Sequence, residues 1–287
     1  MDHVFDIFIL TLVTLVMLII LYPLLYIVSA SFSDPQAVAS GEMLLFPMGL
    51  TLEGYEKIFS NQEIWHAFGN SVLYTVVGTS LNLVMTILAA FPLSRKDLRG
   101  RKALSVLFTF TMYFSGGMIP LFLMVKTLGL YNTMWSLILP GVISVYNMIV
   151  MRSFFENSIP SDLMEASRID GCTDFSYLLR IVLPLSTPIL AVMVLFYGSA
   201  HWNQFFSAII YLRKSEMYPL QVVLRNILLK NIIPPEMLNE VSMMGNMQAG
   251  EIIKYGLIIV SSIPMLIIYP FIQKYFVKGL MLGAVKG

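Results

Sequence analysis

The residues whose types and spacing could do chemistry lie close together, between positions 157 and 175. Pro160 suits the first position of a helix, and Asp162 and Glu165 favour the positive N-terminal end of that helix. Gly171 is a natural left-handed stop at the other end. The chemistry that this pattern predicts is docking of a short helix into a groove of a partner, and it does not indicate catalysis.

A narrow apolar stripe follows one face of this short helix. Leu163, Ala166 and Ile169 recur at every third position, so they lie on the same side of the helix. After the glycine, Thr173 or Asp174 can cap a second helix, which we expect to run to the proline break at residues 183–184. The predicted local structure is therefore a helix, a glycine turn and another helix.

Other residues with chemical potential are sparse. The histidines, His3, His66 and His201, are too scattered for a zinc motif, and a single cysteine, Cys172, excludes an internal disulfide. The sequence has no G-x-x-x-x-G-K-[ST] phosphate loop, so the chain cannot hydrolyse ATP itself. We expect no catalytic residue, no metal and no cofactor bound by this chain.

The elements that must position the docking loop are membrane helices. Of the 287 residues, 57% are hydrophobic and 12% are charged, and the mean hydropathy is +0.77. These values predict an all-α integral membrane protein in which residues 1–287 form a single polytopic domain, and the net charge of +1 excludes a typical nucleic-acid binder. The six predicted spans are 7–33, 70–94, 103–125, 127–151, 187–212 and 255–273.

Basic residues give the predicted orientation. The loop at 95–102 between spans two and three holds five Lys or Arg residues, so we expect it to be cytoplasmic. Both termini and the loop at 157–184 are then cytoplasmic, and the loops at 34–69 and 213–254 are extracytoplasmic. The predicted location is the plasma or inner membrane of a bacterial-type cell, with several passes through the lipid.

Two spans contain residues whose role stays open between transport and packing. In span three, Gly116, Gly117 and Pro120 could break the helix, but glycine and proline also serve helix packing, which is the favoured interpretation. In span five, polar and aromatic side chains could face a substrate path or pack against a neighbouring helix, with equal weight for both. These candidate path residues are Tyr197, His201, Trp202 and Asn203.

The spacing within the docking loop resembles the EAA signature of ABC importer permeases. The matching residues are Glu165-Ala166-Ser167, then Gly171, Ile181 and Leu183-Pro184, with Ser167 in place of the family's second alanine. The flanking residues at 158–160 and 170–171 look like the carbohydrate-importer branch. The whole chain is similar to the shorter permease subunit of maltose-type, oligosaccharide and polysaccharide importers.

The resemblance implies a mechanical role for this loop as a coupling helix in a cleft of a cytoplasmic ATPase dimer. It implies that Glu165 pairs with a basic residue of the ATPase and that Gly171 forms the turn. It also implies that the C-terminal Lys286 and Gly287 make a further contact with the ATPase. ATP and Mg²⁺ would then be bound by that ATPase. The residues to which the resemblance gives a coupling role are Glu165, Ala166, Ser167, Arg168, Asp170, Gly171, Lys286 and Gly287.

The resemblance also implies a second, homologous permease subunit, an extracellular solute-binding protein and a carbohydrate substrate moved by alternating access. Three alternatives stay open: the same architecture importing a non-sugar solute, a stand-alone secondary transporter or channel, and a membrane scaffold. A stand-alone carrier needs ionisable groups or a selectivity filter within its spans. Only His201 is of that kind in the predicted spans, which favours the importer.

Overall fold

A computed structural model describes residues 2–230, 253–270 and 273. Within this part of the chain all regular structure is helical and no β-strand occurs, which confirms the all-α class. The helices are α1 (Asp2–Ser31), α2 (Pro35–Ala39), α3 (Glu53–Ser60), α4 (Gln62–Ser94), α5 (Arg101–Tyr113), α6 (Met118–Thr127), α7 (Trp135–Ile138), α8 (Val145–Ser158), α9 (Ser161–Ile169), α10 (Asp174–Tyr177), α11 (Leu183–Leu185), α12 (Thr187–Trp202), α13 (Phe206–Tyr211), α14 (Leu220–Lys230) and α15 (Ile253–Pro270).

Three of these helices are long and apolar enough to cross a membrane: the 28-residue stretch Val4–Ser31 of α1, the 33 residues of α4 and the 18 residues of α15. Three further pairs pass the same test together but are sharply bent. They are α5 with α6 at 112°, α7 and its 3₁₀ turn with α8 at 52°, and α10–α11 with α12 at 84°. The described residues thus hold three spans, or up to six if each bent pair is one span.

The third predicted span is broken rather than continuous, so the favoured packing interpretation of its glycines was wrong. Residues 114–117 are not helical, and Gly117 has φ +89°, a conformation that a residue with a Cβ rarely adopts. Pro120 falls in the first turn of α6, where its missing N–H breaks no hydrogen bond. The glycines let the chain turn, and Pro120 is tolerated in the first turn of the next helix.

The predicted proline break at residues 183–184 lies instead at Ser186. A π-helical turn at Leu178–Val182 precedes α11, and Pro184 lies in the first turn of α11, where proline is tolerated. The sharp bend follows, and α12 then begins at Thr187, where the predicted fifth span begins. A proline therefore does not end the second coupling helix, because it occupies a first-turn position.

The chain divides into two compact units, one formed by residues up to Phe68 with Leu220–Pro264, the other by Gly69–Pro219 with the residues from Met265 onward. In the first unit, Ala30, Val38 and Met43 form a small core against Tyr26 and Tyr255. In the second unit, side chains of α4, α8, α10 and α12 form the main core. Its buried members include Ile87, Phe91, Met151, Phe155, Tyr177, Val182 and Met193.

Candidate functional site

The predicted coupling helix, α9, begins and ends as local sequence rules predict, within one residue. Pro160 is extended, with φ −60° and ψ 137°, and acts as the N-cap, so the helix begins at Ser161. At the other end, the Cys172 N–H donates to the Ser167 carbonyl at 2.9 Å and the Gly171 N–H donates to the Arg168 carbonyl at 3.0 Å. These two bonds form a Schellman motif.

Gly171 carries this turn because its φ is +73°. A Cβ added at Gly171 would meet no heavy atom within 4 Å, so a larger side chain would not clash. The cost of a substitution there is the left-handed backbone alone, about 1–2 kcal/mol for an ordinary residue. Thr173 then caps α10, since its hydroxyl accepts a hydrogen bond from the Ser176 N–H at 3.3 Å.

The outward face of α9 carries the apolar stripe that the sequence predicts. Leu163 is 37% exposed and Ile169 is 87% exposed, and Ala166 and Glu165 are exposed as well. Ser167 points inward with 5% exposure, and its hydroxyl donates to the Met164 carbonyl at 2.8 Å. The serine that replaces the signature's alanine thus satisfies its own hydroxyl within the helix.

A charged cluster beneath α9 joins the predicted coupling loop, residues 157–184, to the end of α4. Arg95 donates two hydrogen bonds to Asp97, at 3.0 and 2.6 Å, and forms an ion pair with Asp174 at the start of α10. Asp97 also accepts a hydrogen bond from Arg168 of α9 at 2.6 Å. The Arg95 side chain is only 10% exposed, and its guanidinium lies 6.0 Å from the centre of the Phe91 ring. The Arg95 guanidinium therefore contacts α10 directly and α9 through Asp97.

The electrostatics of this cluster follow from its hydrogen bonds. The bonds from Arg95, and then from Arg168, hold the pKa of the Asp97 carboxyl well below its usual range. The bond to Asp97, followed by the contacts with Asp174, raises the pKa of Arg95. Both groups are charged at every physiological pH.

Sequence reasoning missed the role of Arg95 and Asp97. The short loop at 95–102 was interpreted only through its count of positive charges, which gives orientation. The signal that could have found the pair is an aspartate two residues after an arginine, within a basic loop next to a predicted coupling helix. The resemblance gives Arg168 and Asp170 a coupling role toward the ATPase. Arg168 is 51% exposed and is already bonded to Asp97, and Asp170 is exposed and is the C-cap of α9.

Three of the four candidate path residues line a cavity of about 400 Å³ between α4, α7, α8 and α12. Tyr197 is 3% exposed, its hydroxyl lies 2.6 Å from the Thr86 hydroxyl, and it accepts from the Ser144 N–H at 3.3 Å. His201 Nε2 lies 3.3 Å from Asn82 Oδ1. Asn203 is exposed and donates to the Ser199 carbonyl at 2.9 Å.

Trp202 is 4% exposed and is not among the residues that line this cavity. The cavity instead has aromatic side chains at Phe205 and Phe206, which are 42% and 60% exposed. Its amide groups come from Asn82, Gln204 and other residues of the lining. The sequence leaves Trp202 open between the path and packing, because burial cannot be read from residue type.

Lys286 and Gly287 lie outside the described residues, as does most of the predicted loop at 213–254. Among the residues that the structure does describe, no group of three His, Cys, Asp or Glu side chains could hold a metal ion.

Comparison with protein families supplies the deciding observation. Residues 82–281, which include the coupling loop and the cavity, match the family described as binding-protein-dependent transport system inner membrane component. The chain belongs to this family. Membership establishes a membrane permease subunit that works with a solute-binding protein, and its role is transport rather than enzyme catalysis.

Individual relatives agree with this assignment of a permease. The polygalacturonan/rhamnogalacturonan transport system permease protein YtcP of Bacillus subtilis (strain 168) is 43% identical over 288 residues, covering 100% of this chain and 99% of the relative. A crystal structure of a bacterial ABC transporter involved in the import of the acidic polysaccharide alginate matches with a TM-score of 0.89 and 33% identity, over 96% of this chain and 97% of the other.

A second crystal structure, of a bacterial alginate ABC transporter in complex with an alginate pentasaccharide-bound periplasmic protein, matches with a TM-score of 0.62 and 16% identity. It covers 93% of this chain and 92% of the other, and at that identity it supports the fold alone.

Proposed function

We propose that this chain is one of two membrane subunits of an ATP-driven importer that moves an oligosaccharide or polysaccharide by alternating access. The observation that supports the coupling role is the geometry of α9. This exposed helix bears the EAA spacing, and its Arg168 is bonded to Asp97 in the loop after α4. The carbohydrate part is supported by the relatives, one of which is a polygalacturonan/rhamnogalacturonan permease and another an importer of the acidic polysaccharide alginate. The partners are a second permease, an ATPase dimer and an extracellular solute-binding protein.

The proposed topology has six spans. The three long helices supply the first, second and sixth, the bent pairs α5–α6 and α7–α8 supply the third and fourth, and the fifth begins with α12. The coupling loop then lies between spans four and five, on the cytoplasmic side with the basic loop at 95–102 and both termini. The proposed location is the plasma or inner membrane.

The coupling mechanism follows from the stiffness of the charged cluster. When two ATPase subunits close on ATP, they push on the exposed face of α9 around Glu165. Because Arg168 is bonded to Asp97 and Asp174 is bonded to Arg95, the push moves the end of α4 together with α9 and α10. The spans then rock as a packed body rather than yielding at the loop.

The cavity near His201 is the proposed path for substrate in this chain. The exposed side-chain amide of Asn203 and the hydroxyl of Ser207 match sugar hydroxyls, and exposed aromatic rings at Phe205 and Phe206 match the apolar faces of sugar rings. None of the described residues that line this cavity is a lysine or an arginine. We infer that this chain recognises hydroxyl groups, and that any carboxylates of the substrate are recognised by its partners.

The experiment that tests this function is ATP-dependent uptake by the assembled importer in proteoliposomes. Glu165→Lys reverses the charge presented to the ATPase, and Gly171→Val forces a β-branched residue into a left-handed turn; we expect both to abolish uptake. Asp162→Asn, which neutralises an exposed carboxylate on the same helix, serves as the control and should retain uptake. Normal uptake by both test variants would overturn the coupling role of α9.

The sugar assignment has a separate test. The solute-binding protein that copurifies with the importer should bind an oligosaccharide and should show no binding to amino acids, peptides or phosphate. Binding of a non-sugar solute would keep the importer and replace its substrate.

A further inference from the structure

A basic cleft lies where the loop at 95–100 meets the first turn of α5 and the side of α8. Its volume is about 760 Å³, and the charged residues that line it are Lys96, Arg101, Lys102 and Arg152. The other lining residues include Gly100, Ser105 and Val106. The proposed coupling mechanism uses none of these side chains.

The cleft has an excess of positive charge. Glu156 is the carboxylate that pairs with its two arginines. It forms an ion pair with Arg101 and also accepts a hydrogen bond from Arg152 at 2.8 Å. Lys96 and Lys102 are exposed, and neither forms an ion pair with any residue in the described ranges. Four cations and one carboxylate leave a local surplus of three positive charges.

The start of α5 adds to this surplus. Gly100 is the N-cap with φ +80°, and no side chain caps the helix. The first turn has no acidic residue and begins with Arg101 and Lys102, although the N-terminal end of a helix already carries partial positive charge. Like charges at this positive end of the helix are unfavourable, and a bound anion relieves them.

An apolar groove continues from the cleft along α5. This groove is a shallow, open strip on the exposed side of α5, since all of its lining residues belong to that one helix, and it shares Ser105 and Val106 with the cleft. It then follows Thr109, Phe110 and Tyr113 along the helix. From residue 105 to residue 113 the helix rises about 12 Å. The groove therefore leads from the charged loop into the depth of the predicted third span.

We propose that the cleft and the groove together bind one anionic phospholipid. The phosphate lies among Lys96, Lys102 and the first turn of α5, and an acyl chain follows the groove past Val106 and Phe110. A basic site at a span end is the kind that recognises lipid head groups. The continuity of a cationic mouth with an apolar groove is what selects a lipid over a soluble anion, which would need only the mouth. This proposal does not depend on the substrate of the importer.

The test is lipid retention by the purified full-length chain, measured by native mass spectrometry after equilibration with vesicles of dioleoylphosphatidylglycerol or dioleoylphosphatidylcholine. We expect preferential retention of phosphatidylglycerol. Replacing Lys96 and Lys102 with Gln should lower this preference by about 5-fold for each lysine, because one basic residue near anionic lipid contributes about 1 kcal/mol. Arg99→Gln, in the same loop but outside the cleft lining, should leave the preference unchanged.

A second pair of variants tests the groove. Val106→Trp fills the groove and should reduce retention of phosphatidylglycerol, whereas Leu107→Trp, on an exposed neighbouring position outside the groove, should not. Equal retention of the two lipids, an equal effect of Arg99→Gln, or full displacement by inorganic phosphate at matched concentration would each overturn the proposal. Cross-linking of Lys102 to a protein partner in the assembled complex would also overturn it, because that partner would then occupy the cleft.

Discussion

Replacement of Arg95 by methionine is expected to loosen the coupling loop without unfolding the chain. Methionine keeps most of the length and the apolar contact with Phe91, and removes the guanidinium that joins Asp97 and Asp174. A hydrogen bond to a charged group contributes about 1.5–3 kcal/mol. The two carboxylates are 49% and 65% exposed, so water replaces much of what they lose, and we expect a net cost of about 1–2 kcal/mol for docking of the loop.

This cost corresponds to about a 5- to 30-fold rise in the open population of the loop, since about 1.4 kcal/mol is a factor of ten. Hydrogen–deuterium exchange measures it directly at the amides of Gly171 and Cys172, which close the Schellman motif. Arg99→Met, an exposed arginine of the same loop, is the matched control and should leave exchange unchanged. Unchanged exchange in Arg95→Met, or an equal rise in both variants, would refute the role assigned to the cluster.

Two further predictions concern packing and pH. Gly78→Ala should destabilise the second unit by about 1–3 kcal/mol, because its Cβ would lie 2.5 Å from His201 Nε2, whereas Gly198→Ala, whose Cβ would lie 3.7 Å from Thr79 Oγ1, should be tolerated; thermal unfolding in detergent compares them, and equal melting temperatures would contradict the packing described for His201. The contribution of Asp97 should be complete at any pH above its ordinary pKa of about 3.9 and decline as the pH falls below that value, because its pKa in the folded chain is lowered. Exchange protection at Cys172, corrected for intrinsic rates, should therefore be constant from pH 8 to 5, and a transition within that range would argue against Asp97 as the controlling group.

The parts of the site that depend on neighbours in sequence were predictable. Rules that act over one helical turn predict the stop at Gly171, the cap at Thr173 and the start of α12 at residue 187. The same rules misplaced the break at Pro184, because the preceding π-turn changes which position of the next helix the proline occupies. Local signals fix helix ends well when no irregular turn intervenes.

Contacts between distant residues were not predictable in the same way. Arg95 and Asp174 are 79 positions apart, and His201 meets Asn82 across 119 positions, so no spacing rule joins them. The bend after Tyr113 was recognised as a possibility but given less weight than packing, since glycine pairs serve both purposes in membrane helices. Trp202 illustrates a further limit, because the residue type does not show whether its ring is buried or exposed to a sugar.

The measurement that tests the central claim most directly is identification of the chain's neighbours in its native membrane. A photo-cross-linking residue in place of Ala166, on the exposed face of α9, labels whatever the helix contacts, and mass spectrometry identifies it together with the copurified proteins. The importer predicts a cross-link to an ATPase, with a second permease and a solute-binding protein in the same complex. A preparation that holds only copies of this chain, with no ATPase cross-linked to α9, would contradict it.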